Sequence, residues 1–196
     1  MNKKILIPMM VLILVLIVPL LQYATAPKPP AIPFVGMSMV YVGVDSGGET
    51  DIRTVTVLRY DPTTDHVTIR DSYDLFDSME VDVGTRDVIW CSGTWQGPWP
   101  IHVEYWIPTN TKIGSHVDIL NWDAVVIGST QLSVNGKTVS VWRLYASYEG
   151  GETTWYYEKN TGLWVSAAWV EHDGNGEVVA NWGGHLVSTN VVLPEG

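Results

Sequence analysis

Two histidine–carboxylate pairs, His102-x-Glu104 and His116-x-Asp118, are the residues of this chain best suited to hold a metal ion. Residues i and i+2 of an extended strand point to the same side, so each pair can present a ring nitrogen and a carboxylate together. If their strands pair with His102 opposite Asp118, Glu104 falls opposite His116 and all four side chains share one face. That nitrogen and oxygen set suits zinc or a similar ion and the chemistry of a metal-dependent enzyme. A solvated polar face accounts for the same spacing. Two further stretches place oxygen ligands around glycines, as calcium loops do: Asp173 to Glu177 (DGNGE), and Asp45, Glu49 and Asp51 in DSGGETD. Neither carries a full twelve-residue ligand set, and both compositions are also those of ordinary turns.

No nucleophile elbow, zinc-protease helix motif, phosphate-binding loop, dinucleotide fingerprint or C-x-x-C pair occurs, and each of these would announce a particular chemistry. The sequence therefore points to a non-catalytic protein and implies no cofactor. Cys91 is the only cysteine, which excludes an internal disulfide.

Aromatic residues carry the stronger signal. WCSGTWQGPWPIHVEYW, residues 90–106, holds four of the ten tryptophans. In IHVEYWI, Ile101, Val103, Tyr105 and Ile107 share one strand face, predicted to be buried; His102, Glu104 and Trp106 share the other, which leaves Trp106 half-covered or exposed. Gly93, Gly97, Pro98 and Pro100 exclude a regular strand around Trp95 and Trp99, so these two belong to a loop, where recognition residues concentrate. Further on, TVSVWRLYASY, TTWYYEK and LWVSAAWV are apolar on both sides. Such strands are covered on both, by protein or by a ligand. Trp142, Trp155, Trp164 and Trp169 are thus candidates to line a cleft. Because the chain has only two phenylalanines, the tryptophans also suit a core in which they take phenylalanine's place.

The elements that position these residues read as strands. From Met37 onward, short alternating runs are separated by turn residues every eight to twelve positions, the pattern of an antiparallel β domain. Hairpins are predicted at DSGGETD, DPTTD, Asn135-Gly136, Gly150-Gly151, Asn160-Thr161-Gly162 and Gly174-Asn175-Gly176, Asn-Gly being suited to a type I′ turn. Closely spaced turns favour a meander that forms a curled half-barrel, a barrel or a sandwich. The one place with helical spacing is DLFDSMEVDVGT, where Asp74 could cap a short helix bearing Leu75, Phe76 and Met79.

Residues 1–24 contain two lysines and then an apolar run from Ile5 to Leu21, long enough for one transmembrane helix. Pro27 follows the small-x-small triplet Ala24-Thr25-Ala26 and disfavours signal cleavage, so a retained anchor is the expectation. Lys3 and Lys4 keep the N-terminus in the cytoplasm, placing a proline-rich linker (25–35) and a β domain (36–193) outside it. A cleaved segment would make the same domain secreted. From Ala31 onward eight basic residues face twenty-one acidic ones, a net charge of −13. This excess repels phosphate backbones and excludes nucleic acid as a partner.

Residues 128–167, GSTQLSVNGKTVSVWRLYASYEGGETTWYYEKNTGLWVSA, contain the pattern Y-x-[DEK]-x-T-G-[LI]-[LW] from Tyr157 to Trp164. The stretch resembles uncharacterised, mostly archaeal, membrane-anchored extracytoplasmic β proteins. It is also similar to the curled antiparallel half-barrels of the periplasmic lipoprotein carrier and lipoprotein-sensing regulators. That resemblance implies a concave face able to hold acyl chains. Those families pack helices in the concavity, whereas this chain offers at most one.

Three functions follow as expectations. The first is an extracytoplasmic binding domain, attached to the cell membrane by its N-terminal helix, that takes a lipid or other apolar ligand in an aromatic cleft. The second is a cell-surface module that engages a protein partner. The third is a metal-dependent enzyme at His102, Glu104, His116 and Asp118.

Overall fold

The computed structural model describes residues 31–72, 77–92 and 101–194. The predicted anchor (1–24) and residues 25–30 of the predicted linker (25–35) lie outside them, as do Trp95, Trp99 and three residues of the expected short helix, Asp74, Leu75 and Phe76. Met79, the remaining residue of that helix, is in a strand. Among the described residues there is no α-helix, and none forms a helix long and apolar enough to cross a membrane.

Among the described residues, eleven strands form one antiparallel, open, curled sheet. A first meander contains β1 (Ser38–Asp45), β2 (Thr50–Asp61), β3 (His66–Asp71), β4 (Ser78–Asp82) and β5 (Val88–Ser92). A second contains β6 (His116–Ile119), β7 (Trp122–Val134), β8 (Lys137–Tyr148), β9 (Gly151–Glu158), β10 (Trp164–His172) and β11 (Val178–Thr189). The two join where β1 pairs with β11, leaving β5 and β6 at opposite edges of the sheet. The predicted hairpins are present. At the β7–β8 turn, Asn135 and Gly136 have φ of 51° and 76°, the left-handed pair that a type I′ turn demands.

The chain must travel from one edge of the sheet to the other between β5 and β6, and the described part of this connection, beginning at Ile101, passes through the curl. IHVEYWI forms isolated bridges in place of the regular strand expected from its alternation. His102 bridges Asp87 on one side and Leu120 on the other, so it links the two edge regions. Ile107 N donates to Gly162 O at 2.9 Å and Trp164 N to Tyr105 O at 3.0 Å, which ties the strap to the β9–β10 turn. Ile101, Val103, Tyr105, Trp106 and Ile107 are all buried. Trp106 is 3% exposed, contrary to the half-covered position expected from its polar neighbours. A segment enclosed by a curled sheet meets protein on both of its faces, so the rule that assigns one face to solvent does not apply.

Two buried charges fix the strap. Arg86, at φ 68°, donates from Nη1 to the carbonyls of Val103 (3.2 Å) and Trp106 (3.3 Å) and from Nη2 to that of Asp118. These bonds satisfy carbonyls that irregular backbone would otherwise bury unpaired. Burial draws the Arg86 guanidinium below its ordinary pKa. Glu158, fully buried, accepts from the backbone N–H and side chain of both Asn160 and Thr161. Its carboxylate thereby shapes the T-G turn against which the strap lies.

Both sides of β8 are apolar, as expected, but in succession along its length. Val139 and Val141 are buried, then Leu144 and Ala146. The change of parity falls opposite an extra residue in β7, Ile127, where the register shifts between Val126 and Gly128. A bulge of this kind bends its strand and increases the local twist.

Gly162 (φ 74°) tests the strap contact. A Cβ there would collide with the carbonyl oxygen of Ile107, whereas Gly136, also at positive φ, has open space around it. Gly136→Ala should cost about 1 kcal/mol, the ordinary penalty for a left-handed residue, and Gly162→Ala should cost at least ~2 kcal/mol more, the scale of an overpacked site. Urea denaturation of the two variants measures the difference.

Candidate functional site: an aromatic cleft beside a buried ion-pair cluster

The strap fills only part of the curl. Beside it lies a cleft of about 540 Å³ whose lining includes Trp122, Trp155, Trp169 and Trp182. Strand register explains how its indoles are placed. Gly43, Gly184, Ala167, Trp155 and Leu144 are successive partners across β1, β11, β10, β9 and β8, and Asp45, Trp182, Trp169, Thr153 and Ala146 form the adjacent row. Small residues in the first row leave a floor over which the indoles of the second can lie. A Cβ on Gly43 would come within 2.6 Å of the Trp182 ring, and one on Gly184 would also strike it. The Trp182 indole therefore lies flat against the two glycines, packed on one face.

The other walls are fixed by polar and ring contacts. Trp169 donates its Nε1 proton to the Tyr148 hydroxyl, and the Tyr148 ring packs on Trp122 at a centroid distance of 4.4 Å. Gly151 leaves room for the Tyr148 ring, since a Cβ there would meet its hydroxyl. Glu104, Asp45, Ser46, Thr153 and Asn181 supply the polar lining.

Behind Glu104 sits the main buried charge cluster. Arg53 grips Asp71 through Nε and Nη2, the latter at 2.6 Å, and its Nη1 reaches Glu104 Oε1 at 2.6 Å. The Tyr105 hydroxyl donates to Asp71 and accepts from Arg53 Nη2. Burial raises the pKa of Tyr105 well above its ordinary value, with Asp71 and Glu104 adding to the rise, so the phenol stays protonated and able to donate. Tyr41 stacks on Trp164 at 4.1 Å and donates to the Trp164 carbonyl, while the Tyr157 hydroxyl donates to the Glu104 carbonyl. The cluster thus joins β2 and β3 to the strap, which is joined in turn to β9 and β10.

The tryptophans named from sequence separate into groups. Trp155 and Trp169 line the cleft. Trp164 and Trp106 belong to the core. Trp142 packs against the core under the Lys159 ammonium, 4.2 Å from its ring centroid, and is not among the cleft residues. Trp95 and Trp99 lie outside the described residues. Trp122 and Trp182 were missed. Gly43 within VYVGVD held a clue, because an isolated glycine in a strand often marks a close approach by another group.

His102, Glu104, His116 and Asp118 do not come together. The register assumed for them is not formed: His102 lies opposite Leu120 and Asp118 opposite Asp123. His102 pairs with Asp87 at 3.0 Å, Glu104 with Arg53, and His116 with Asp123 at 2.9 Å on the surface. No group of three or more metal-ligating side chains occurs among the described residues. In both suggested calcium loops the leading aspartate is engaged by the turn itself. Asp45 Oδ1 accepts from Gly47 N and Glu49 N, and Asp173 Oδ1 from Asn175 N and Glu177 N. Those backbone donors also lower the pKa of Asp173.

No protein-family model and no curated protein matches the chain. Among solved structures it is similar to MucB in complex with MucA(peri), at 15% identity and a TM-score of 0.38, covering 81% of this chain and 51% of that one. The MucA/MucB complex of Pseudomonas aeruginosa gives 15% identity and a TM-score of 0.41, covering 81% and 52%. MucB by itself gives 14% and 0.39, covering 81% and 54%. The chain spans about half the length of these structures, and the likeness is one of strand course alone.

The two classes of ion pair should respond differently to mutation. Arg53→Met leaves Asp71 and Glu104 without their shared guanidinium and should lower stability by about 3–5 kcal/mol. His116→Ala removes a pair whose histidine side chain is 64% exposed and should cost less than about 1 kcal/mol. Thermal and urea unfolding provide the comparison.

Proposed function

We propose that the chain is a non-catalytic binding protein, held at the outer face of a membrane by residues 1–24, whose aromatic cleft receives an apolar ligand such as part of a lipid. The cleft carries this reading: about 540 Å³ of space walled by four indoles, with Ala167 and Ala180 the small residues of its lining. Its volume lies within the range of roughly 300–1,000 Å³ found for small-molecule sites, where apolar walls supply burial and a few polar groups set orientation. The acidic surface and the apolar N-terminal run suit an external, tethered domain. Acyl-chain binding agrees with the sequence resemblance to lipoprotein-carrier half-barrels, although the strap occupies part of the concavity.

A second reading, a protein-interaction module, rests on the edge strand β5, where Ile89 and Trp90 are 52% and 55% exposed. Unpaired edges and exposed aromatic groups are common sites of protein association. The cleft remains the better-supported site because four indoles converge on one volume.

Ala180 lines the cleft and is only partly buried, so a larger side chain there should fill the space without disturbing the core. The full chain should enhance the fluorescence of the apolar probe 1-N-phenylnaphthylamine. Ala180→Trp should weaken that binding at least about tenfold with the circular dichroism melt unchanged; a factor of ten corresponds to about 1.4 kcal/mol. If the unmutated chain produces no saturable enhancement, the cleft is not an apolar site.

A further inference from the structure

The cleft has a charge pattern that an apolar ligand does not require. Two carboxylates, Asp45 and Glu104, line it, and no lysine, arginine or histidine is among the described lining residues. Glu104 is only 9% exposed. Its Oε1 accepts from Arg53, but its Oε2 receives no hydrogen bond from the described residues. That oxygen is not sealed from solvent, since the one buried side-chain polar atom without a partner among the described residues is Trp164 Nε1; it is free to accept from a group in the cleft.

The indoles complement that oxygen. Trp182 uses one ring face against Gly43 and Gly184 and lies beside Trp169, its cross-strand partner. Indole faces are electron-rich and attract cations, and the attraction grows where water is displaced. The ligand class can be narrowed further. A hard divalent ion needs several oxygen ligands, and no metal-ligating cluster of three is present among the described residues. A primary ammonium brings three donors that each require an acceptor, whereas a fully alkylated ammonium brings none and tolerates aromatic walls.

Building on the cleft as a ligand site, we infer that its ligand carries an alkylated ammonium group, seated against Trp169 and Trp182, with Asp45 and Glu104 balancing its charge. The apolar remainder lies along Trp155 and Trp122. The net charge of −13 from Ala31 onward favours the approach of such a cation and disfavours anionic amphiphiles.

The test uses the full chain in nanodiscs of lipids without choline, titrated with choline and with 3,3-dimethylbutan-1-ol, its uncharged carbon isostere, while tryptophan fluorescence is followed. Choline should bind about tenfold more tightly than the alcohol, the scale of a partly desolvated cation–π contact. Asp45→Asn and Glu104→Gln should each weaken choline several-fold and leave the alcohol unchanged. Asp45→Asn lies away from the Arg53 cluster and keeps the test decisive if Glu104→Gln fails to fold. Equal or tighter binding of the alcohol overturns the inference while preserving the apolar cleft; saturable binding of neither probe overturns both. Dihexanoyl-phosphatidylcholine, added as a third arm, should bind more tightly than choline if the ammonium belongs to a lipid headgroup and more weakly if it belongs to a small free compound.

Discussion

A single curled sheet has one apolar face to cover, and in this protein the chain covers much of it with its own irregular segment. The backbone contact between Tyr105–Ile107 and Gly162–Trp164 sets where that segment lies. Gly162 permits the approach, Glu158 shapes the turn, and Arg86 satisfies strap carbonyls from the other side. Irregular backbone in an interior is costly unless its polar groups are paired. Here, Arg86 pairs two of the strap carbonyls, and neighbouring backbone pairs others.

Placement of the strap also determines what is left open. Where Tyr105, Trp106 and Ile107 pass, the curl is solidly packed, and beyond Glu104 it is a cleft. The division between core and cleft follows ring placement: Trp164 meets Tyr41 and closes the interior, whereas Gly43 and Gly184 let the Trp182 indole lie flat on the sheet, and Trp182, Trp155 and Ala167 line the cleft. Tryptophan therefore serves both purposes suggested by the sequence, in adjacent parts of one sheet.

The Arg53, Asp71, Glu104 and Tyr105 cluster sits at the boundary between them. Burying these charges gives less stability than an apolar replacement of similar volume could. It does give a geometrical constraint, because the two-pronged contact with Asp71 fixes the guanidinium, whose Nη1 then holds Glu104 Oε1. Glu104 is thereby held in the cleft wall, where an unconstrained glutamate would turn toward water.

Local patterning in the sequence sufficed for the all-β class, the hairpin positions and the turn chemistry of Asn135-Gly136 and Asp173, because alternation and positive-φ residues act over a few neighbouring positions. It also marked Trp155 and Trp169 through strands that are apolar on both sides. Tertiary structure alone decided that β1 pairs with β11, that His102 meets Asp87 and Leu120 in place of Asp118, and that Trp106 is enclosed. Each of these depends on which distant backbone arrives at a given edge, and the strand period carries no information about that. The same holds for the cleft: Gly43 on β1 and Gly184 on β11 seat the Trp182 ring only after register has paired them.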